Sequence, residues 1–189
     1  TLAKLEASLF PDTLASYDSP HIANADRTHN LSLACASIDG KILNPGDVFS
    51  FNKTVGERTA SKGYRAAIVY TTGGKSEPEL GGGICQVSST IYMCTLLANL
   101  EIVDRVEHMY VVTYVPFGMD ATVYWGSQDF KFRNSAQHPI RIRASVSGGY
   151  THIALLGVKE TDNYVKMTYK ILETRSEERR VGKECSELC

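Results

Sequence analysis

The 189-residue sequence predicts an α+β fold in which a buried central helix packs on a mainly antiparallel sheet. Two helical patterns come early: one is amphipathic and the other is apolar nearly all round. Beyond Leu100 the apolar period drops toward two, and short β-rich runs follow one another between Gly, Asn and Pro.

The elements divide the chain into a lead-in of residues 1–26, a domain of residues 27–172 and a charged tail of residues 173–189. Leu31, Ala34, Cys35 and Ile38 share one face of a helix over Arg27–Ile38, which Asp39-Gly40 ends. Asn44-Pro45-Gly46-Asp47 reads as a turn and Val48–Phe51 as a short strand. Ala66–Thr71 is a second strand, followed by a loop through Ser76-Glu77-Pro78-Glu79. From Cys85 to about Asn99, Ser88, Ile91, Tyr92, Thr95 and Ala98 form one stripe, while Val87, Cys94 and Leu97 form another. Such a helix is buried at the centre of a domain. Strands are then expected at 109–115, 121–125, 129–133, 139–146, 152–156 and 164–171, and Ile140, Ile142, Ala144 and Val146 alternate with polar residues as on a sheet with one wet face. Residues 173–180 are a mixed charge run, and the tail as a whole is read as mobile or non-native.

Composition narrows the functional classes. A formal net charge of −1 gives no general pull toward nucleic acid, and no run of eighteen apolar residues exists to span a bilayer. The N-terminus lacks the sections of a signal peptide, so the expectation is either a protein soluble throughout or a piece of a longer exported chain. Five cysteines without a C-x-x-C pair match no zinc pattern, and neither a metal nor an organic cofactor is expected. On one helix Cys85 and Cys94 fall on roughly opposite faces, so they do not bridge each other. Cys94 and Cys35 are then core residues, and no function rests on Cys185 or Cys189.

The stretch with most chemistry is Gly81-Gly82-Gly83-Ile84-Cys85-Gln86-Val87-Ser88-Ser89-Thr90. It places Cys85 at a helix N-terminus, where unpaired N–H groups and the positive end of the dipole favour a thiolate and hold a developing oxyanion. The plainer reading is a buried cysteine in a tight turn. A nucleophilic cysteine needs a base, and among the histidines at 21, 29, 108, 138 and 152 the best placed is His108, which opens the first strand expected after the helix. His29 and His138 read as structural. Asp120 and Asp129 are the candidates to orient the ring, with a turn aspartate as the alternative for each.

Three segments, Pro45–Asn52, Gly81–Tyr92 and Tyr114–Val123, resemble in order the signature blocks of the VanW domain family, and the resemblance runs from about Arg27 to Gly157. Family members are typically exported and often membrane-anchored proteins of Gram-positive bacteria. The resemblance therefore implies the extracellular face of the cell envelope, with membrane contact only through a segment outside this chain. Some VanW domains are L,D-transpeptidases of peptidoglycan. By that analogy Cys85 attacks a carbonyl of a stem peptide, expels the terminal D-alanine and holds the stem as a thioester, with His108 as proton shuttle and Asp120 as its partner. Gly83, Gln86, Ser88, Ser89 and Tyr114 are the corresponding candidates for oxyanion and substrate binding, and peptidoglycan stem peptides are the implied partner. Two departures stand out: His108-Met109 replaces the usual His-Ser, and Gly118-Met119-Asp120 replaces Gly-Arg-Asp. A cell-wall cysteine peptidase or amidase, and a non-catalytic peptidoglycan-binding module, are the competing functions.

Overall fold

Asn24 opens the first helix, α1 (Ala25–Ile38), by accepting a hydrogen bond from the Arg27 N–H at 3.0 Å. Its buried stripe is Asn30, Leu31, Ala34, Cys35 and Ile38, and Asp39 turns extended to end it. These contacts come from a computed structural model that describes residues 8–21, 24–70, 76–162 and 164–170. Around α1 the chain builds strands β1 (Asp12–Pro20), β2 (Ile42–Leu43) and β3 (Val48–Ser50), a one-turn helix α2 (Phe51–Val55), and β4 (Ala66–Tyr70) with β5 (Ser76–Leu80). The long helix α3 (Ile84–Leu97) follows, then β6 (Glu101–Asp104), β7 (Lys131–Arg133), β8 (Ile140–Ser147) and β9 (Tyr150–Gly157).

These strands form a four-stranded sheet in the order β1-β9-β8-β2, a three-stranded sheet β3-β7-β6 and a two-stranded ribbon β4-β5, all antiparallel. The fold is α+β, as the sequence predicts. Gly148 and Gly149, with φ of 57° and 82°, make the tight turn that pairs β8 with β9. That register places Ile142 opposite Leu155, and both are buried. The helix α3 packs across β1 and β9, and α1 packs across β8. On its other side α3 meets the second sheet through β6 and through an edge-on contact of Tyr92 with Phe130 at 5.4 Å. Phe49 and Phe132 of that sheet pack ring against ring, Phe130 just before β7 stacks on Phe132, and all three are fully buried. Each contributes about 1.5–3 kcal/mol of burial. Cys35 and Cys94 lie in this core, with Cys94 Sγ donating to Ile153 O at 3.3 Å.

Several segments differ from expectation. The strand predicted at 109–115 is irregular, with Met109 and Val111 about two-thirds exposed, because no neighbouring strand offers it an edge. Residues 121–125 join only through single bridges, Val106 with Thr122 and Tyr124 with Gln128. Residues 164–170 form no ladder either. Conversely, the loop expected through Ser76-Glu77-Pro78-Glu79 is part of a strand, Ser76–Leu80, since a two-stranded ribbon leaves Pro78 an outer edge that needs no donor. Glu101–Asp104 adds a strand directly after α3, and Asp12–Pro20, read as lead-in, lies along β9 over eight paired residues. The tail of residues 173–189, with Cys185 and Cys189, lies outside the described residues.

Candidate active site

The approach to Cys85 is shaped by backbone that only glycine tolerates. Gly81 and Gly83 have φ of 78° and 101°, so both adopt a left-handed conformation that strains any other side chain. The turn is pinned by the buried Asn30, whose amide nitrogen donates to Arg65 O at 2.8 Å and Gly82 O at 3.1 Å. Ile84 then starts α3 with Cys85 in its first turn.

Cys85 Sγ donates to Val123 O at 3.5 Å, and the His108 side chain is close enough to act on the thiol. His108 lies in the loop after β6, where no strand forms, and Asp120 fixes it twice. Asp120 Oδ2 accepts the His108 backbone N–H at 2.8 Å and His108 Nδ1 at 2.5 Å. An ionised carboxylate has no proton to give, so Nδ1 donates and Nε2 is the nitrogen left for the thiol. Asp120 is held in turn by Arg105, whose Nη2 reaches Oδ1 at 3.2 Å while Nε donates to the Asp120 carbonyl at 2.7 Å. The structure thus brings Cys85, His108 and Asp120 into one chain of contacts.

Charge is distributed accordingly. Burial pushes the Cys85 thiol up, but the His108 hydrogen bond and charge, with the Arg58 charge, hold it below its ordinary value. Burial pushes His108 down, but the hydrogen bonds to Asp120 and Cys85 raise it to about 9. Burial pushes Asp120 up, and its hydrogen bonds and charge pairing with His108 and Arg105 hold it below the usual carboxylate range. All three directions favour a thiolate facing an imidazolium backed by a carboxylate. Cys35 and Cys94 lack such neighbours, and burial pushes both thiols up, Cys35 to about 12.

The remaining candidates surround this chain of contacts. Tyr114 places its hydroxyl 3.5 Å from His108 Nε2, and burial keeps it a neutral phenol. Ser88 donates to Ala121 O at 2.6 Å and to Cys85 O at 3.0 Å. Ser89 donates to Cys85 O at 2.7 Å and accepts the Ala121 N–H at 2.9 Å. Both serines are fully buried, so they tie the Asp120-Ala121 segment to the start of α3. The Gln86 side chain is also internal: it donates to Ser19 Oγ and Pro20 O and accepts from Arg27 Nη2 at 3.0 Å. The Gln86 N–H donates to Gly83 O at 2.9 Å. The Cys85 N–H finds no acceptor among the described residues. Asp129 does not reach the histidine; it caps α2 by accepting from Ser50 Oγ and the Asn52 N–H. Arg105, Arg58 and Asn30 were not singled out from sequence, because an isolated arginine or asparagine carries no spacing signal. Met119 is buried, and the guanidinium beside Asp120 comes from Arg105 instead. Among the described residues no cluster of His, Cys, Asp or Glu is placed to hold a metal ion, and no helix is long and apolar enough to cross a membrane.

The chain belongs to the VanW family, described as VanW like protein, which matches residues 26–156. It is 48% identical over 133 residues to the "Uncharacterized protein YoaR" of Bacillus subtilis (strain 168), covering 70% of this chain and 44% of that protein. It is 28% identical over 157 residues to the "Vancomycin B-type resistance protein VanW" of Enterococcus faecalis (strain ATCC 700802 / V583), covering 79% of this chain and 54% of that protein. The chain therefore spans about half the length of these relatives. No solved structure matches it.

Proposed function

We propose that this domain is a cysteine-dependent acyl transferase of the Gram-positive cell envelope, acting as an L,D-transpeptidase on peptidoglycan stem peptides. The observation that carries the reading is the contact chain Cys85–His108–Asp120 at the helix start. The name of the Enterococcus relative, a vancomycin resistance protein, supports a place at the cell wall. The acting unit is the domain of residues 27–172 completed by β1, at the outer face of the envelope.

The steps follow from the charges. The Cys85 thiolate attacks the carbonyl carbon of the third stem residue, and the oxyanion that forms accepts from the Cys85 N–H at the positive end of α3. The imidazolium of His108 gives its Nε2 proton to the amine of the terminal D-alanine as the C–N bond breaks. A thioester remains on Cys85, and His108, now neutral, takes a proton from the side-chain amine of a second stem as it attacks. The new amide forms and the thiolate is released. Asp120 keeps Nδ1 protonated throughout, and Ser88 and Ser89 hold Asp120 in place rather than touching substrate.

The test is intact-mass analysis after incubation with tetrapeptide-containing muropeptides. An adduct on Cys85 equal to the stem less its terminal alanine, together with cross-linked dimers, is expected, and Cys85→Ala removes both. An adduct that yields only trimmed monomers makes the protein a peptidase. No adduct, with wall binding unchanged in Cys85→Ala, makes it a binding module and overturns the proposal.

A further inference from the structure

Arg58, whose charge acts on Cys85, has no part in the steps above. Its stem crosses the glycine turn: a Cβ on Gly81 would lie 2.9 Å from Arg58 Cβ and Cγ. Its guanidinium is fixed from one side only. Nη1 donates to Asn52 Oδ1 at 2.7 Å and to Gly56 O at 3.1 Å. Asn52 is itself immobilised by donating to Tyr124 O and Gln128 O, while its backbone N–H bonds Asp129. The guanidinium lies over the Phe51 ring at 5.7 Å, which occupies its face but not its in-plane N–H groups. Nη2 is buried and has no hydrogen-bond partner among the described residues. The nearby acidic groups, Asp129 and the phenol of Tyr64, act on the charge at a distance without giving Nη2 an acceptor.

A buried cationic donor without an acceptor is destabilising, so a site retains one only when something repays it. The group that matches a guanidinium edge in geometry and charge is a carboxylate. Cys85 acts on the Arg58 charge but gives Nη2 no hydrogen bond, its own bond going to Val123 O. In the reaction proposed above, the carboxylate beside the scissile bond is that of the terminal residue.

We propose that Arg58 is the specificity-determining residue of this site: its free Nη2 edge takes the terminal α-carboxylate of the residue that leaves. The inference rests on the acyl-transfer reading and deepens it. The site then acts on C-terminal residues and discriminates against internal peptide bonds, whose neutral amides return no charge to the guanidinium.

The test compares a tetrapeptide stem bearing a free C-terminal carboxylate with the same peptide as its C-terminal carboxamide. Binding is measured by calorimetry on Cys85→Ala protein, where no acylation intervenes. The acid is expected to bind at least tenfold tighter, Arg58→Met to erase that ratio, and Arg58→Lys to keep part of it. Equal binding of acid and amide with Arg58 intact overturns the assignment without any variant at position 58. So does a preference that survives Arg58→Met, or no binding of either peptide. The acyl-transfer reading fails separately: an acid preference together with no thioester on wild-type protein leaves Arg58 as a carboxylate site and removes the chemistry.

Discussion

Gly82 packs so close to β4 that a Cβ there would sit 2.2 Å from the Ala67 carbonyl oxygen. Its neighbours Gly81 and Gly83 are required for a different reason, their positive φ. Gly82→Ala must therefore push β4 away from the turn, and a loss of about 1–3 kcal/mol is expected in chemical unfolding. Ser89 illustrates the second kind of residue at this site, one that acts through others. Removing its hydroxyl strands the buried Ala121 N–H and frees the segment that carries Asp120. Ser89→Ala is expected to lose about 1–3 kcal/mol of stability, and to slow alkylation of Cys85. Full stability together with undiminished Cys85 reactivity would show that the clamp is idle.

At the scale of elements, what sequence reveals depends on whether an element carries its own signal. The helix α3 was legible because Val87, Ile91, Cys94 and their neighbours leave it no polar face, and β8 because Ile140 and Ile142 alternate with Arg141 and Arg143. Cys85 and His108 were candidates by residue type alone, and what the structure adds is the Asp120 carboxylate on the His108 ring. The strand β1 was not, since Asp12–Pro20 holds few apolar residues and gains its structure from the edge of β9. The loop carrying His108 misled for the converse reason: Val111 and Val112 look strand-like but meet no edge, and the ring is fixed by Asp120 instead. Contacts between residues far apart in sequence, such as Arg105 with Asp120 or Asn30 with Gly82, have no periodicity to betray them. Because β1 also receives the Gln86 amide and the Ser19–Thr90 hydrogen bond, a chain beginning at residue 27 is expected to lose cooperative unfolding or to melt well below the longer one. Equal melting of the two would make β1 an ornament of the domain.

For the whole molecule, the charges of the site tie stability to pH. His108 is raised, so its contribution is complete below its ordinary value of roughly 6.5, and is lost as pH climbs through about 9. Asp120 is lowered, so its contribution is present above the usual carboxylate range and is lost as pH falls through its depressed value. The stability advantage of wild-type protein over His108→Gln is therefore expected to shrink between about pH 6 and about pH 10 in urea unfolding. An advantage that grows over that interval would place the histidine proton elsewhere. The same pairing makes the central claim measurable without any substrate: the rate at which iodoacetamide alkylates Cys85, followed by peptide mass across pH, in wild-type protein and His108→Gln. A thiolate held by His108 predicts a wild-type inflection below the ordinary thiol value of about 8.5, and a variant at least about tenfold slower near neutrality. Identical profiles, with an inflection at or above that value, would contradict a thiolate–imidazolium pair at the head of α3.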